Sequence, residues 1–287
     1  MTLAIEPGRS DGFLTDLIDS PVLIACGAMV ALVFLAAIFA PLVVPHDPAL
    51  MNAAARLQAP SLTHWFGTDQ FGRDVFARVL YGSRTSLQVA LVAVGIAVVV
   101  GGLSGLVTGS FGGWIDAAVM RVMDVMIAFP ALLLALFLVA VLGPSLTNLV
   151  IAISLTRVPY FARLTRAEAM AIRVRPHVTA VRAMGGSHGW IMLRHIAPNV
   201  IPILIIFGTT DLAGAIIAES ALSYLGLGAQ PPTPSWGRML TESRAFVDQA
   251  PWLVIFPGLF VMVTVIAVNM TGDGLRDLLD PRLKKRQ

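Results

Sequence analysis

Asp211 and Glu219 fall inside an apolar run at about 201–222 that carries no other charge. A lone carboxylate at the centre of a bilayer-spanning helix costs on the order of 3 kcal/mol on insertion scales, so such a group has to face protein or water. Asp211 lies about 12 residues into the run, which at 1.5 Å per residue puts it near a membrane midplane. Three readings are open for it. It is neutralised by an intramembrane basic residue, with Arg157 the best placed; or it lines a polar path with Glu219, two turns further on; or it is a protonated, merely buried acid.

Little else in the chain could do chemistry. Nucleophilic or metal catalysis needs a nucleophile, a base and an orienter, or a ligand cluster, on facing elements. The five histidines, His46, His64, His177, His188 and His195, fall in loops or at the ends of apolar segments, and no H-E-x-x-H pair occurs. Cys26 is the only cysteine and sits in an apolar run, so neither a disulfide framework nor a thiolate metal site is available. No catalytic residue and no metal ligand is therefore assigned. No G-x-x-x-x-G-K-[ST] phosphate loop occurs either, so nucleotide chemistry belongs to another chain.

The elements that hold these residues belong to a membrane protein. Of 287 residues, 56% are hydrophobic and 13% charged, and the mean hydropathy is +0.80, too apolar for a water-soluble domain of this length. The net charge of +3 is small and its basic residues are clustered, which reads as a topology signal and not as a nucleic-acid surface. Residues 1–20 are polar and the apolar run from Val22 is too long for the hydrophobic part of a signal peptide, so it is an anchor that stays.

At roughly 20 apolar residues per crossing, six segments qualify: 22–44, 86–110, 117–142, 146–164, 201–222 and 252–271, with Gly143-Pro144-Ser145 as the turn between the third and fourth. The expected fold is all-α, an integral membrane protein of six transmembrane helices. Its divisions are an N-terminal segment 1–20, a first helix plus outer loop 21–84, a core of five helices 85–275 that contains a loop 165–199, and a basic tail 276–287. Basic residues crowd 163–194 and the tail, which makes both, and both termini, cytoplasmic. In the second segment Gly101, Gly105 and Gly109 recur every four residues and let another helix approach closely. On the outer side, Asp69 to Arg73 and Asp74 to Arg78 have i,i+4 spacing and Phe71, Val75 and Val79 repeat every four, so 66–80 reads as an amphipathic helix that covers the bundle or touches a partner. The run Gln230-Pro231-Pro232-Thr233-Pro234 makes a stiff outer loop.

The stretch 176–198 reads as a compact knob of two short helices. Pro176 opens the first, Gly185-Gly186 cap it with positive φ, Ser187 N-caps the second, and Pro198 stops it before the next crossing. Its arginines, Trp190, Met184 and Met192 have the composition of a docking surface.

This knob resembles the EAA loop of ABC importer permeases. The motif falls on Thr179-Ala180-Val181, Gly185 and Pro198; Thr179 stands in place of the usual glutamate, Val181 of the second alanine, and Ala197 of the leucine before the proline. FGTDQFGRDVFARVLYGSRTSL at 66–87, LSYLGLGAQPPTPSWGRML at 222–240 and FPGLFVMVTVIAVNMTGDGLRDLLDPR at 256–282 are similar to the C-type membrane subunit of dipeptide, oligopeptide and nickel importers. The resemblance implies a type I ABC importer permease fold in a bacterial cytoplasmic membrane, forming half of a translocation path for peptides, with nickel or another small solute as the alternative cargo. A membrane-embedded enzyme or a secondary transporter is a distant alternative.

It also implies partners: a homologous B-type permease subunit, two cytoplasmic ATPases that bind ATP and Mg, an extracytoplasmic binding protein and membrane lipid. No cofactor is expected in this chain itself. The residues expected to couple to the ATPases are Thr179, Ala180, Arg182, Met184, Gly185, Gly186, Ser187, Trp190 and Pro198. Asp211 and Glu219 are expected on the path, where they would offer a transient anionic site to the amino group of a passing peptide, and Asp69, Arg73, Asp74, Arg78 and Trp236 are expected to face the binding protein.

Overall fold

The computed structural model describes residues 21–44 and 47–279. The expectations for the N-terminal segment 1–20, for His46 and for tail residues 280–287 lie outside them. Among the described residues the chain is helical, with only an isolated bridge between Thr68 and Asp74. The helices are α1 (Pro21–Val43), α2 (Val75–Phe111), α3 (Gly113–Ile127), α4 (Ala131–Leu142), α5 (Leu146–Arg173), α6 (Pro176–Ala183), α7 (His188–Ile191), α8 (Ala197–Tyr224), α9 (Trp236–Ser243) and α10 (Trp252–Leu279).

Four helical stretches are long and apolar enough to cross a membrane, Pro21–Val43, Val75–Phe111, His188–Tyr224 and Trp252–Asp277, and the α3–α4 pair makes a fifth if its bent halves count as one span. That pair corrects the expected straight helix over 117–142. Its halves meet at 90°, because Pro130 has no N–H to continue the ladder and its ring pushes Phe129 out of helical geometry. The turn expected at 143–145 is present: Gly143 takes φ +90, and the Ser145 hydroxyl accepts from the Asn148 N–H to start α5. α5 then runs to Arg173, well beyond the expected 164, because no glycine or proline interrupts it after Pro159 and Pro176 lies three residues past its end.

α2 and α5 form the most extensive helix pair, and the glycine stripe explains it. A Cβ on Gly101 would lie 2.6 Å from Phe161 Cβ and from the Val158 carbonyl, one on Gly105 would collide with the Ala162 carbonyl, and one on Gly109 would lie 2.7 Å from Ala169 Cβ. Three glycines one turn apart thus let two backbones touch, which supplies packing where no hydrophobic force acts between helices. α8 and α10 close the bundle around this pair, whereas α1 is peripheral and buries only Val33, Ala37 and Ala40.

At the end opposite the 176–198 knob, the loops 47–74 and 225–251 fold over the bundle. Val75, Val79, Met239, Ala250 and Leu253 form a separate apolar cluster there, with Phe66 stacked on Phe256 at 3.9 Å. The amphipathic helix expected over 66–80 is not formed. Residues 67–74 make a bridged turn, with Gly67 and Gly72 at positive φ, and α2 starts only at Val75, where the Asp74 carboxylate caps the Ala77 N–H at 2.8 Å. Gly72 is obligatory, because a Cβ there would strike the Asn52 carbonyl.

Candidate functional site

Three places gather the residues singled out by the sequence. The first is a cavity of about 450 Å³ walled by α4, α5 and α8. Ala131, Leu132 and Ala135 come from α4, Ile153, Thr156, Arg157 and Tyr160 from α5, and Phe207, Asp211, Gly214, Ile217 and Ala218 from α8. Arg157 Nη1 donates to Asp211 Oδ1 across it, so of the three readings of Asp211 the ion pair with Arg157 is the one observed. Gly214 makes room for the guanidinium, since a Cβ there would stand 3.3 Å from Arg157 Nη2. The pair is not saturated. Arg157 Nε and Asp211 Oδ2 are both shielded and without a hydrogen-bond partner.

Glu219 does not share that cavity, which corrects its expected place on a path with Asp211. Eight residues are about 2.2 helical turns, which rotates Glu219 by roughly 80° from Asp211 and turns it into the core. It is fully buried, accepts from Ser223 Oγ at 2.7 Å and Ser220 Oγ at 3.4 Å, and has Ser86 and Ser235 completing a ring of hydroxyls. The ring joins α8 to α2 and to the cap of α9. Four serines scattered over 150 residues give no pattern that a linear reading could detect.

The second place is the knob. α6 begins with Pro176 in its first turn, and Gly185 ends it at φ +88. There the Gly185 N–H donates to the Arg182 carbonyl at 3.0 Å and the Gly186 N–H to that of Val181 at 3.1 Å. Only Gly185 has positive φ; Gly186 is required for closeness, because a Cβ on it would stand 2.9 Å from Val181 Cγ1. The Ser187 hydroxyl caps α7 at the Trp190 N–H, 3.4 Å away.

Pro198 does not stop the second helix. α7 passes through a wider turn, Met192–Ile196, in which the Ala197 N–H reaches back five residues to Met192, and continues into α8 with Pro198 in its first turn. The wide turn absorbs the N–H that proline lacks. Val178, Ile191, Ile196 and Val200 seat the knob on Leu106 of α2 and Ala169 and Ile172 of α5. Its other face presents Thr179, Ala180, Met184, Gly185, Ser187, Trp190 and Pro198 exposed, with Arg182 half-buried between them. Met184 is 79% and Trp190 52% exposed. The Thr179 hydroxyl donates to the Pro176 carbonyl at 2.9 Å, so its polarity is used within α6.

The third place is the outer cluster, and here the expectation of a partner-facing surface is overturned. Asp69, Arg73, Asp74, Arg78 and Trp236 are each at most 5% exposed. Arg73 Nε donates to Asp69 at 2.6 Å, and Arg73 and Arg78 both donate to Glu242 Oε2, at 2.9 and 2.8 Å. Arg238 Nε reaches Glu242 Oε1 at 3.0 Å. Asp74 pairs with His64 Nδ1 at 2.7 Å as well as capping α2, so it does not hold Arg78 as the i,i+4 spacing suggested. Trp236 is wholly buried and donates Nε1–H to the Val79 carbonyl at 3.1 Å. Glu242, the hub, was not singled out from the sequence; its position four after Arg238 was the available signal.

Residues 97–285 match the family described as binding-protein-dependent transport system inner membrane component. The chain belongs to that family. Among relatives of this inner membrane component, a dipeptide transport system permease protein of Alkalihalophilus pseudofirmus is 49% identical over 87% of this chain and 82% of its own. A probable D,D-dipeptide transport system permease protein of Escherichia coli is 41% identical over 100% of this chain and 98% of its own. A glutathione transport system permease protein of Pectobacterium atrosepticum is 40% identical over 92% and 88%. As a member of the family, the chain is a multi-pass membrane permease subunit with the all-helical type I permease fold.

Proposed function

We propose that this subunit forms half of the path by which an ATP-driven importer moves small peptides, in company with a homologous permease subunit, two ATPases that bind ATP and Mg, and an extracytoplasmic binding protein. The observation that carries the reading is the knob. A rigidly seated turn with an exposed Trp and Met flanked by arginines, fixed to the ends of α2 and α5, is built to receive force from a docked partner and pass it to the bundle. The relatives that transport dipeptides and glutathione by name support the peptide class.

In this reading the knob end and both termini are cytoplasmic, and the bundle makes six crossings, with α3–α4 as one bent span and α5 as another. Wide movements at the knob would reach the cavity through α5 and α8, which carry Arg157 and Asp211 and run directly from it. The test is reconstitution: ATP-dependent uptake of a labelled dipeptide into proteoliposomes that hold all subunits, and none when either the ATPases or this chain is left out. Uptake that persists without the ATPases refutes it.

A further inference from the structure

The cavity holds one cation and one anion of opposite valence, and each keeps one unused polar atom. Arg157 Nε lacks an acceptor and Asp211 Oδ2 lacks a donor, although both are shielded from solvent. Buried polar groups without partners carry a free-energy cost, which a ligand group bonding either atom once the pair opens would relieve. Apart from Thr156, whose hydroxyl donates to the Ile153 carbonyl at 2.8 Å, the remaining wall is apolar or aromatic, with Leu132, Tyr160 and Ile217 half-exposed at its rim, and its volume of about 450 Å³ lies in the range of small-molecule sites. Asp211 is 14 residues from the start of α8 and 13 from its end, midway along the helix and far from the depth of lipid headgroups.

We propose that Arg157 and Asp211 form a site for the two ends of a zwitterionic peptide, the guanidinium taking the carboxylate and the aspartate taking the ammonium group. The inference rests on the permease reading above and specifies its substrate. Charge balance supports it: a free peptide with neutral side chains brings one positive and one negative group into a low-dielectric space, and an apolar path compensates neither. A lone carboxylate or a lone arginine would match one end and repel the other. A bonded Arg–Asp pair is neutral while empty, and opening it exchanges one ion pair for two, so the net charge in the membrane never changes. The internal pair also competes with the cargo, which keeps binding weak enough for release. Peptide ends that are acetylated and amidated lose both contacts.

The test uses the complete reconstituted complex with alanyl-alanine and its N-acetyl, C-amide form as probes, and reads uptake per inserted complex together with ATPase activity. Arg157→Gln combined with Asp211→Asn removes both partners together and leaves no unpaired charge in the bundle, and its uptake is normalised to inserted complex and to ATP hydrolysed. Uptake of alanyl-alanine is expected to fall at least tenfold, and the preference for the free over the blocked dipeptide to disappear. If the double variant transports alanyl-alanine as the wild type does, the pair is purely structural and the inference is overturned. A second variant avoids altering the charges: with Cys26→Ala as background, Ala218→Cys on the cavity wall is labelled by a maleimide. Alanyl-alanine at millimolar concentration should slow that labelling several-fold while the blocked form leaves it unchanged; equal rates with both also overturn the inference. Loss of ATP-dependent uptake in the wild-type complex is a different failure, that of the permease reading itself.

Discussion

The two ends of the bundle use arginine in opposite ways. At the outer cap, Arg73, Arg78 and Arg238 converge on Asp69 and Glu242 with side chains 2–18% exposed. At the knob end, Arg175 and Arg194 lie in solvent, and the ion pair of Arg163 with Asp124 is 50% and 52% exposed. Both ends look alike as a string of letters, charged clusters beside apolar runs. What separates them is the supply of acids. From 169 to 210 there is no Asp or Glu, so the knob arginines have no carboxylate nearby in the chain; Arg175 and Arg194 turn outward and Arg182 stays half-buried without one. Around the cap, Asp69 precedes Arg73 and Glu242 follows Arg238, so each arginine finds a carboxylate inside the fold and the charge is used for cohesion.

The sharpest way to break this contrast is Glu242→Ala. It leaves three guanidiniums around Asp69 alone, and removing one partner of a buried charged network costs about 3–5 kcal/mol. The protein is expected to lose most of its inserted yield, and what remains to unfold many degrees lower in detergent. Arg194→Ala at the knob, by contrast, should shift stability by no more than about 0.5 kcal/mol. Equal losses from the two variants would erase the distinction between the ends.

Gly185→Val comes next. At φ +88 a side chain costs about 1–2 kcal/mol, and branching at Cβ raises it. No neighbouring atom lies within 4 Å of a Cβ there, so the strain stays in the turn and the bundle persists. Inserted protein should remain near the wild-type level while ATP-dependent uptake is lost and the ATPases no longer co-purify.

The position of this turn was readable because only local rules fix it: Pro176, Gly185 and Ser187 act within one or two helical turns. The apolar spans and the glycine stripe were readable for the same reason, since period and composition are local. The outer cluster was misread in its exposure: the Asp69–Arg73 pair forms as its spacing suggested, but in a turn held by Gly67 and Gly72, and the carboxylate that closes over it, Glu242, comes from α9, far along the chain. Glu219 was misread because eight residues overshoot two helical turns by roughly 80°, which carries it off the face of Asp211. The Arg157–Asp211 pair was visible as one of three options, since a membrane interior leaves a carboxylate few partners; the cavity around it depends on the bend at Pro130 that brings α4 beside α5, which no single segment shows.

A smaller effect on the fold and a selective one on docking is expected from Met184→Ala and Trp190→Ala. Both side chains are largely in solvent, so truncation changes stability by about 0.5 kcal/mol or less. If they are the anchors of the interface, each weakens ATPase binding by about 1–2 kcal/mol, roughly tenfold, as buried aromatic and apolar anchors do. Retention of the ATPases on an affinity column measures it. Unchanged retention by the double variant would move the docking surface elsewhere on the knob.

The mildest perturbation tests which end faces which compartment, on which the contrast between the ends depends. Leu62 in the outer cap is 96% exposed, and His188 at the start of α7 is exposed as well. A cysteine at either changes no buried contact, and Cys26→Ala removes the only native thiol. Under the proposed orientation, with the arginine-rich knob inside, an impermeant maleimide should label Leu62→Cys in intact spheroplasts within minutes and His188→Cys only after permeabilisation. The paired measurement distinguishes burial from sidedness, because both thiols must react in detergent. If His188→Cys labels first in intact spheroplasts, the knob faces outward, out of reach of any cytoplasmic ATPase, and its exposed arginines need a different partner.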